Sequence, residues 1–303
     1  MLCALALLLV LTACGANPSD RISAEQIRKD TVYLCEQFGS RVTGTGQERE
    51  ACDWLEKELE AMGFSEENDT LRREAFQGLG ELTSENLIVR YNPGERTPVY
   101  CVVAHYDSIV DTPGARDNAS AVAILLEIAR NLKTQCPEVN SEIRLVFLGS
   151  EENGYHGSRA YLEGLTPEEL ERHKAVFNMD ISAATAGEGQ LVCCTLGGEQ
   201  DGVYRDGDFL EPMENAVSRS IAQACASLYG QEVPVVYGGE SDHVTFHQWK
   251  IDCANVCWRR VEGGLPVLPP EYHGIDDVPE TIDYETARMT GRCILEAVRI
   301  LAA

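Results

Sequence analysis

The chain of 303 residues has few positively charged side chains. Its 25 lysines and arginines stand against 49 aspartates and glutamates, which gives a net charge of −24. A protein with this charge repels phosphates, so the composition argues against nucleic acid as a partner. Histidine is also scarce, with six residues in the chain. A histidine that stands beside carboxylates here therefore carries unusual weight as a functional signal.

The cysteines lack the spacing of a zinc knuckle. None of the 12 forms a C-x-x-C pair; Cys193 and Cys194 are adjacent, and Cys253 and Cys257 are four residues apart. Disulfides can form in an exported protein, but their pairing cannot be deduced from these positions. The alternative is that many of them are buried thiols, which pack as small apolar side chains.

The apolar run at the N-terminus, residues 5–11, is too short to span a membrane and has the length of a signal-peptide core. It leads into Leu11-Thr12-Ala13-Cys14, which resembles the lipobox of bacterial lipoproteins, where the cysteine is lipidated and begins the mature chain. Residues 1–4 depart from that pattern because they contain no Lys or Arg. An ordinary secretion signal, cleaved nearby, is the alternative.

We expect residues 1–19 to be a lipoprotein signal peptide and tether, with Cys14 as the lipidated residue. Residues 20–303 would then form a single domain, since no repeat, low-complexity segment or linker divides them. The protein would be exported by a bacterium as a cell-surface or periplasmic lipoprotein, attached to the membrane only through its lipid. Its oligomeric state is left open.

Strand-like and helix-like segments alternate along the domain. Residues 47–62 form the clearest amphipathic helix, and Gly63 stands where a helix C′ residue belongs. The other predicted helices follow Ser23 and cover residues 118–132, 214–228 and 284–301; the predicted strands cover residues 85–91, 99–104, 143–149, 175–180, 191–196, 233–236 and 254–257. A strand, a helix and a strand in succession at residues 99–149 predict a parallel pair, hence an α/β fold.

The first of these parallel strands ends in potential metal ligands. His105 and Asp107 follow the strand at residues 99–104, and Asp117 opens the next helix. Glu151 and Glu152 then follow the strand at residues 143–149. In open α/β sheets ligands bind at the carboxyl ends of the strands, so we expect these side chains to meet at one edge.

Two later positions extend the set, because Asp180 ends another strand and His273 lies in a loop rich in Pro and Asp. Each residue alone would more often be a cap or a surface polar group. Their joint placement after buried strands indicates a centre of nitrogen and oxygen ligands that suits two divalent ions.

Several segments, in this order, resemble the dizinc aminopeptidases of metallopeptidase family M28. They read AHYDS, GARDNAS, GSEENGYHGS, NMD, SDH and YHGIDDVPETI, and the resemblance covers roughly residues 25–300. It implies a three-layer α/β/α fold with a central mixed, mainly parallel sheet, as in zinc exopeptidases. The implied activity is hydrolysis of N-terminal residues from peptides by a water activated between two zinc ions.

The same resemblance implies a role for each matching residue. His105 and Asp180 would hold one zinc ion, Glu152 and His273 the other, and Asp117 would bridge them. Catalysis would use Glu151 as general base and Asp107 as the acid that orients His105, since a ligating histidine needs a partner for its second nitrogen.

The SDH segment corresponds more weakly to the substrate pocket, through Ser241, Asp242 and His243. The peptide bond after the bridging aspartate is usually cis in this family, which here is Asp117–Asn118. Two positions depart from the family pattern: Ala121 replaces a glycine, and His273-Gly274-Ile275 replaces His-Thr-Pro. Neither removes a ligand.

Three other functions use the same scaffold. A glutaminyl cyclase is an acyltransferase with one zinc, and a non-catalytic binding ectodomain has lost its ligands; both conflict with the complete ligand set here. A glutamate carboxypeptidase shares the ligands but needs cationic groups for a C-terminal carboxylate, and the sequence alone assigns none. Two, one or no zinc ions per chain would distinguish the aminopeptidase, the cyclase and the binding domain.

Overall fold

A computed structural model of the protein describes residues 21–137, 139–185, 188–197, 212–238 and 240–303. Residues 1–20, with the predicted signal segment and Cys14, lie outside the described residues. Within the described ranges, no helix combines the length and apolar character needed to cross a membrane.

Nine strands of the described chain form one sheet. In spatial order, eight of them run β1-β2-β4-β3-β5-β9-β7-β8, and β10 pairs with β9. The strands of this sheet are β1 (Leu71–Gln77), β2 (Thr83–Tyr91), β3 (Val99–His105), β4 (Glu142–Leu148), β5 (His173–Asn178), β7 (Gln190–Thr195), β8 (Val235–Tyr237), β9 (Asp252–Glu262) and β10 (Leu265–Val267). A separate pair consists of β6 (Ala184–Thr185) and β11 (Ile282–Asp283).

The centre of the large sheet is parallel. β3 pairs in parallel with β4 on one side and with β5 on the other, and β5 pairs in parallel with β9. β2 and β7 join this centre as antiparallel neighbours, so the sheet as a whole is mixed. The carboxyl ends of four adjacent strands consequently point to the same edge, where ligands bind in sheets of this type.

Helices cover both faces of the sheet and confirm the three-layer α/β/α expectation. One apolar core lies between the sheet and α1, α2, α3, α6 and α8, and a smaller one lies under α4, α5 and α7. The helices are α1 (Ala24–Phe38), α2 (Gly46–Ala61), α3 (Ser120–Gln135), α4 (His156–Glu163), α5 (Pro167–Arg172), α6 (Ala216–Tyr229), α7 (His243–Gln248) and α8 (Tyr284–Ala302).

Local signals set the ends of the first two helices. The side chains of Ser23 and Thr45 accept hydrogen bonds from the backbone amides of Gln26 and Glu48, which caps α1 and α2. Gly63 follows α2 with a φ of 84°, a conformation that favours glycine. These features agree with the sequence prediction for this region.

Several elements were missing from the sequence prediction. β1, the short helices α4, α5 and α7, and the two-stranded sheet of β6 and β11 were not predicted, and β9 extends well beyond residues 254–257. The strand predicted at residues 233–236 is observed as β8, shifted towards Tyr237. The residues of β1 alternate charged and apolar types only weakly, and helices of six to eight residues are too short for a clear 3.6-residue period.

The ten cysteines in the described ranges are buried free thiols. Cys194 on β7 and Cys257 on β9 are in contact, with 3.5 Å between the two Sγ atoms. The cysteines therefore serve as small apolar side chains of the core. The sequence also predicts a long surface loop, rich in glycine and acidic residues, at residues 197–208, and most of it lies outside the described residues.

Candidate metal centre and active site

The site begins at the end of β3, where His105 is 1 % exposed. Its Nε2 atom lies 3.3 Å from Oδ1 of Asp117 and 3.9 Å from Oδ1 of Asp180. Oε2 of Glu151 lies 4.0 Å from the same nitrogen. One imidazole nitrogen thus faces three carboxylates that belong to three different loops.

A second group forms on the other side of Asp117. Nε2 of His273 lies 3.1 Å from Oε2 of Glu152 and 3.5 Å from Oδ2 of Asp117. Asp117 therefore turns one carboxylate oxygen to His105 and the other to His273, as a bridging ligand requires. All five residues predicted as metal ligands are brought together by the fold.

The backbone around His273 is unusual. His273 has a φ of 57°, in the left-handed region that few non-glycine residues adopt. The ring of Tyr272 stacks on its imidazole with 3.7 Å between the centroids. Strain of this kind collects at functional sites, where the surrounding structure holds it.

The site holds polar atoms that lack partners. Nε2 of His105, Oδ1 of Asp180 and Oε1 of Glu152 are buried, and none has a well-aligned hydrogen bond within the described residues. Nitrogen and oxygen atoms of two triplets lie within 4.8 Å of one another: His105 with Asp117 and Glu152, and His105 with Glu151 and Asp180. Imidazole and carboxylate groups are zinc ligands, so the unpaired atoms and the donor set fit a metal centre.

The protonation of these groups reflects crowded negative charge. Burial raises the pKa of Glu152 to about 9, and the negative charge of Asp117 contributes to the same rise. Burial likewise raises the pKa of Glu151 well above its ordinary value. Burial opposes ionisation of Asp117, but hydrogen bonds from His105 and His273 outweigh it and lower its pKa. Burial also disfavours the charged form of His105, yet the carboxylates, led by Glu151, raise its pKa. Such a cluster favours bound cations.

Asp107 contacts more than the histidine it was predicted to orient. Nδ1 of His105 lies 3.2 Å from the backbone oxygen of Asp107 and 3.5 Å from its Oδ1 atom. The fully buried carboxylate accepts hydrogen bonds from the backbone amides of Glu151 at 3.0 Å and Glu152 at 3.2 Å. The hydroxyl of Thr43 donates a third, at 3.2 Å. Asp107 therefore fixes the turn that carries both glutamates.

Arg41 holds the loop between His105 and Asp117, a role that the sequence prediction missed. Its side chain is fully buried and donates hydrogen bonds only to backbone carbonyls. The acceptors, at 2.7 to 3.1 Å, are the oxygens of Gly39, Tyr106, Pro113 and Gly114. Its segment reads RVTGTG, and nothing local in those letters marks a buried arginine.

Asp277 positions the bridging residue. Its carboxylate accepts hydrogen bonds from the backbone amides of Arg116 at 2.7 Å and Asp117 at 3.1 Å. Because Asp277 follows His273 by four residues, it ties the loop of one ligand to the backbone of another. The peptide bond between Asp117 and Asn118 is cis, as the family resemblance implied.

Two asparagines position the end of β5. Asn255 of β9 accepts a hydrogen bond from the backbone amide of Asp180 at 3.1 Å. Asn118 donates to the carbonyl of Met179 at 2.8 Å and accepts from the amide of Ile181 at 3.3 Å. Ile181 has a φ of 54°, which is rare for a β-branched residue. The backbone that presents Asp180 is thus held from both sides.

The three residues of the SDH segment have different surroundings. Asp242 is fully buried; burial raises its pKa to about 7, and its charge in turn raises the pKa of Glu151. Ser241 accepts a hydrogen bond from Asn178 of β5 at 2.9 Å, and its side chain is buried beneath the site. Burial lowers the pKa of His243 to about 3, so its ring is neutral. Asp242 is the member of the three whose charge acts on the metal cluster.

A family model describes most of this region: the model of peptidase family M28 matches residues 86–298. The chain belongs to this family. The match contains every predicted metal ligand and the predicted base. It begins after Arg41 and Thr43, which reach the site from outside the matched region.

Among curated relatives, the chain is 33% identical over 232 residues to aminopeptidase YwaD of Bacillus subtilis. That alignment covers 76% of this chain and 46% of the relative, so the chain spans about half the length of that protein.

Two solved structures show the same fold. BSAP, a zinc aminopeptidase from Bacillus subtilis, superposes with a TM-score of 0.79 at 21% identity, covering 92% of this chain and 95% of that one. Glutaminyl cyclase from Porphyromonas gingivalis superposes with a TM-score of 0.73 at 22% identity, covering 93% and 99%. At these low identities, the superpositions show that the fold is the same. They do not distinguish between the activities of the two proteins, so that distinction has to come from the site residues.

Proposed function

We propose that the protein is a zinc-dependent aminopeptidase that releases N-terminal residues from peptides. The observation that carries this proposal is Asp117, which directs its two carboxylate oxygens to different histidines. A second zinc ion needs such a bridge and its own ligands, and Glu152 and His273 are both in place. The complete set favours a two-metal hydrolase over a cyclase with a single zinc.

His105 and Asp180 would hold one zinc ion and Glu152 and His273 the other, with Asp117 shared. When bound, zinc supplies a Lewis acid that polarises the peptide carbonyl and makes water more acidic. Glu151 would accept the proton of the attacking water on its carboxylate and pass it to the leaving nitrogen. A base at this position typically contributes about 10²–10⁴-fold to the rate.

The charge of the site favours a substrate with a free amine. Six carboxylates surround it, from Asp107, Asp117, Glu151, Glu152, Asp180 and Asp242. With all six ionised, two bound divalent ions would balance four of the negative charges, and the remaining excess would attract the protonated N-terminus of a peptide.

The test is an assay of the zinc-loaded protein on a panel of aminoacyl anilides, with N-acetylated anilides as matched controls. We expect hydrolysis of the free-amine substrates alone, its loss with a chelator, and two zinc ions per chain by metal analysis. Cyclisation of an N-terminal glutamine by a protein with one zinc would support the cyclase instead. A protein that binds no zinc and hydrolyses nothing would support the binding domain.

We also propose that the chain is exported and lipid-anchored at Cys14, supported by the apolar run at residues 5–11 and the lipobox-like LTAC. Expressed in a bacterium, the protein should incorporate labelled fatty acid and sediment with membranes. Cys14→Ala should abolish the label. Unlabelled wild-type protein in the cytosolic fraction would contradict the proposal.

A further inference from the structure

Arg259 on β9 is a buried cation that forms no ion pair with another described residue. The residue is 4 % exposed, and its Nη1 atom is buried without a hydrogen-bond partner in the described part of the chain. The guanidinium contacts the thiol of Cys257, a weak acceptor. A buried guanidinium with unpaired donors is costly unless an anion compensates it.

Four other buried arginines of the described chain have oxygen acceptors for their guanidinium groups. Arg41 donates to four backbone carbonyls, and Arg116 donates to backbone carbonyls and to Glu271. Arg90 and Arg144 both bind the buried carboxylate of Glu142. Within the described residues, Arg259 stands apart from these four because no oxygen accepts from its side chain.

The strand directs Arg259 to the active-site side of the sheet. Alternate residues of a strand share a face, so Arg259 lies on the same face as Cys257 and Asn255. Asn255 accepts the hydrogen bond from the amide of Asp180. The charges of Asp180 and Asp117 also stabilise the protonated guanidinium. Arg259 therefore lies beyond Asp180, on the side of the metal cluster away from β4.

The two carboxylates that act on Arg259 are already committed. Asp117 faces both histidines, and Asp180 faces His105. Once these carboxylates bind metal, the guanidinium keeps its unpaired donors and needs an anion from outside the described chain. The planar group of arginine pairs best with a carboxylate or a phosphate, through two parallel hydrogen bonds.

We propose that Arg259 forms the anion-binding end of the substrate pocket and takes a carboxylate of the peptide. This inference rests on the proposed peptidase function and adds a substrate class to it. The carboxylate comes either from the side chain of an N-terminal Asp or Glu, or from the C-terminus of a dipeptide. In both cases the acids of the metal centre receive the substrate amine while Arg259 receives the negative group.

The experiment compares wild type with Arg259→Met, which keeps an unbranched side chain about as long as the arginine stem and removes the charged guanidinium, and with Arg259→Lys. Arg260→Met is the matched control, because Arg260 follows directly on β9 with a side chain that is 49% exposed, 3.7 Å from Glu262. Substrates are the anilides of Glu, Gln and Leu, and the dipeptide Leu-Leu beside its C-terminal amide. Zinc content and the melting temperature Tm are measured for each variant.

For each matched pair of substrates, the preference is the ratio of kcat/KM with the carboxylate to kcat/KM without it. We expect Arg259→Met to lower this ratio by about 10- to 100-fold, the range of a charge-assisted hydrogen-bond pair. Arg259→Lys should retain part of it, and Arg260→Met and the Leu anilide should be unaffected. Loss of the Glu-over-Gln preference assigns the side-chain carboxylate. Loss of the preference for Leu-Leu over its amide assigns the C-terminal carboxylate. Unchanged ratios in Arg259→Met overturn the proposal.

Direct binding separates this proposal from the proposed function. Calorimetric titration with glutamate and with glutamine measures binding without turnover. Wild type should bind glutamate more tightly than glutamine, and this margin between the two dissociation constants should disappear in Arg259→Met. If no anilide is hydrolysed but this margin is found, the peptidase assignment fails and the anion site stands. If anilides are hydrolysed but neither ratio nor margin depends on Arg259, the anion site fails alone.

Discussion

The hydrogen bonds of Asp107 predict what an Asp107→Asn substitution would do. The carboxylate accepts from the backbone amides of Glu151 and Glu152 and from the hydroxyl of Thr43. An asparagine keeps one acceptor oxygen and turns an NH₂ group towards one of these donors. Leaving one buried donor unpaired costs about 1–3 kcal/mol, so the free energy of unfolding should fall by that amount.

The same change should affect chemistry and metal binding together. The turn held by Asp107 carries Glu151, the proposed base, and Glu152, a proposed ligand. Loss of a group that orients ligands typically lowers metal affinity or activity about 10- to 100-fold. We expect both the zinc affinity and the kcat at saturating zinc to fall in Asp107→Asn.

Competition with a chromophoric chelator measures the zinc affinity, and denaturant unfolding of the metal-free protein measures stability. Thr43→Val is the control, because it removes one hydrogen bond and leaves the carboxylate and both amide contacts. If Asp107 acted through His105 alone, zinc affinity would fall while kcat at saturating zinc stayed normal. That result would refute the reasoning from the turn.

Three further predictions follow from other residues. Glu151→Gln should lower kcat by about 10²–10⁴-fold while the protein retains its zinc. Glu152→Gln should instead lose zinc. If metal analysis shows the opposite pattern, Glu152 is the base and Glu151 is the ligand. Burial opposes ionisation of Glu142, but hydrogen bonds and charge from Arg90 and Arg144 lower its pKa to about 2. Its contribution to stability, about 3 kcal/mol from this shift, is therefore present above the unfolded pKa near 4.5 and disappears as the pH falls towards 2. Unfolding free energies of wild type and Glu142→Gln should converge across this window, and a constant gap would contradict the assignment. The ten described cysteines should resist a thiol reagent in the folded protein and react in denaturant, as mapped by mass spectrometry; modification in the native state would show that a thiol is accessible.

The proximity of most of the candidate metal ligands could be predicted because it follows from a rule about sheets. His105, Asp180 and the pair Glu151-Glu152 each come directly after a buried parallel strand. The central strands read as continuous apolar runs, since both of their faces are covered. Their carboxyl ends then meet at one edge whatever the details of the loops. His273 lies in a loop well beyond the end of β9, where this rule does not apply, and the family resemblance gave it the role of a ligand.

The supporting residues could not be predicted in this way. Apart from the bond between Arg41 and Gly39, the hydrogen bonds of Arg41, Asp277 and Asn255 described above reach backbone atoms between 65 and 161 positions away in sequence. A backbone amide or carbonyl has no residue-specific signature, so the partner of such a side chain cannot be read from the letters. The sequence prediction also missed Arg259. Two adjacent arginines near the end of a strand are usually both surface charges, and the sequence does not indicate that Arg259 is the buried one.

The contacts of Arg41 determine where the catalytic unit begins. The family match starts at residue 86, yet Arg41 binds the carbonyls on either side of the loop between His105 and Asp117. Thr43 reaches Asp107 from the same segment. A shortened protein that starts at residue 86 would keep every ligand and lose the side chains that shape their loop. In this chain, the loop that carries the candidate ligands is therefore held in part by a segment that comes before the matched region.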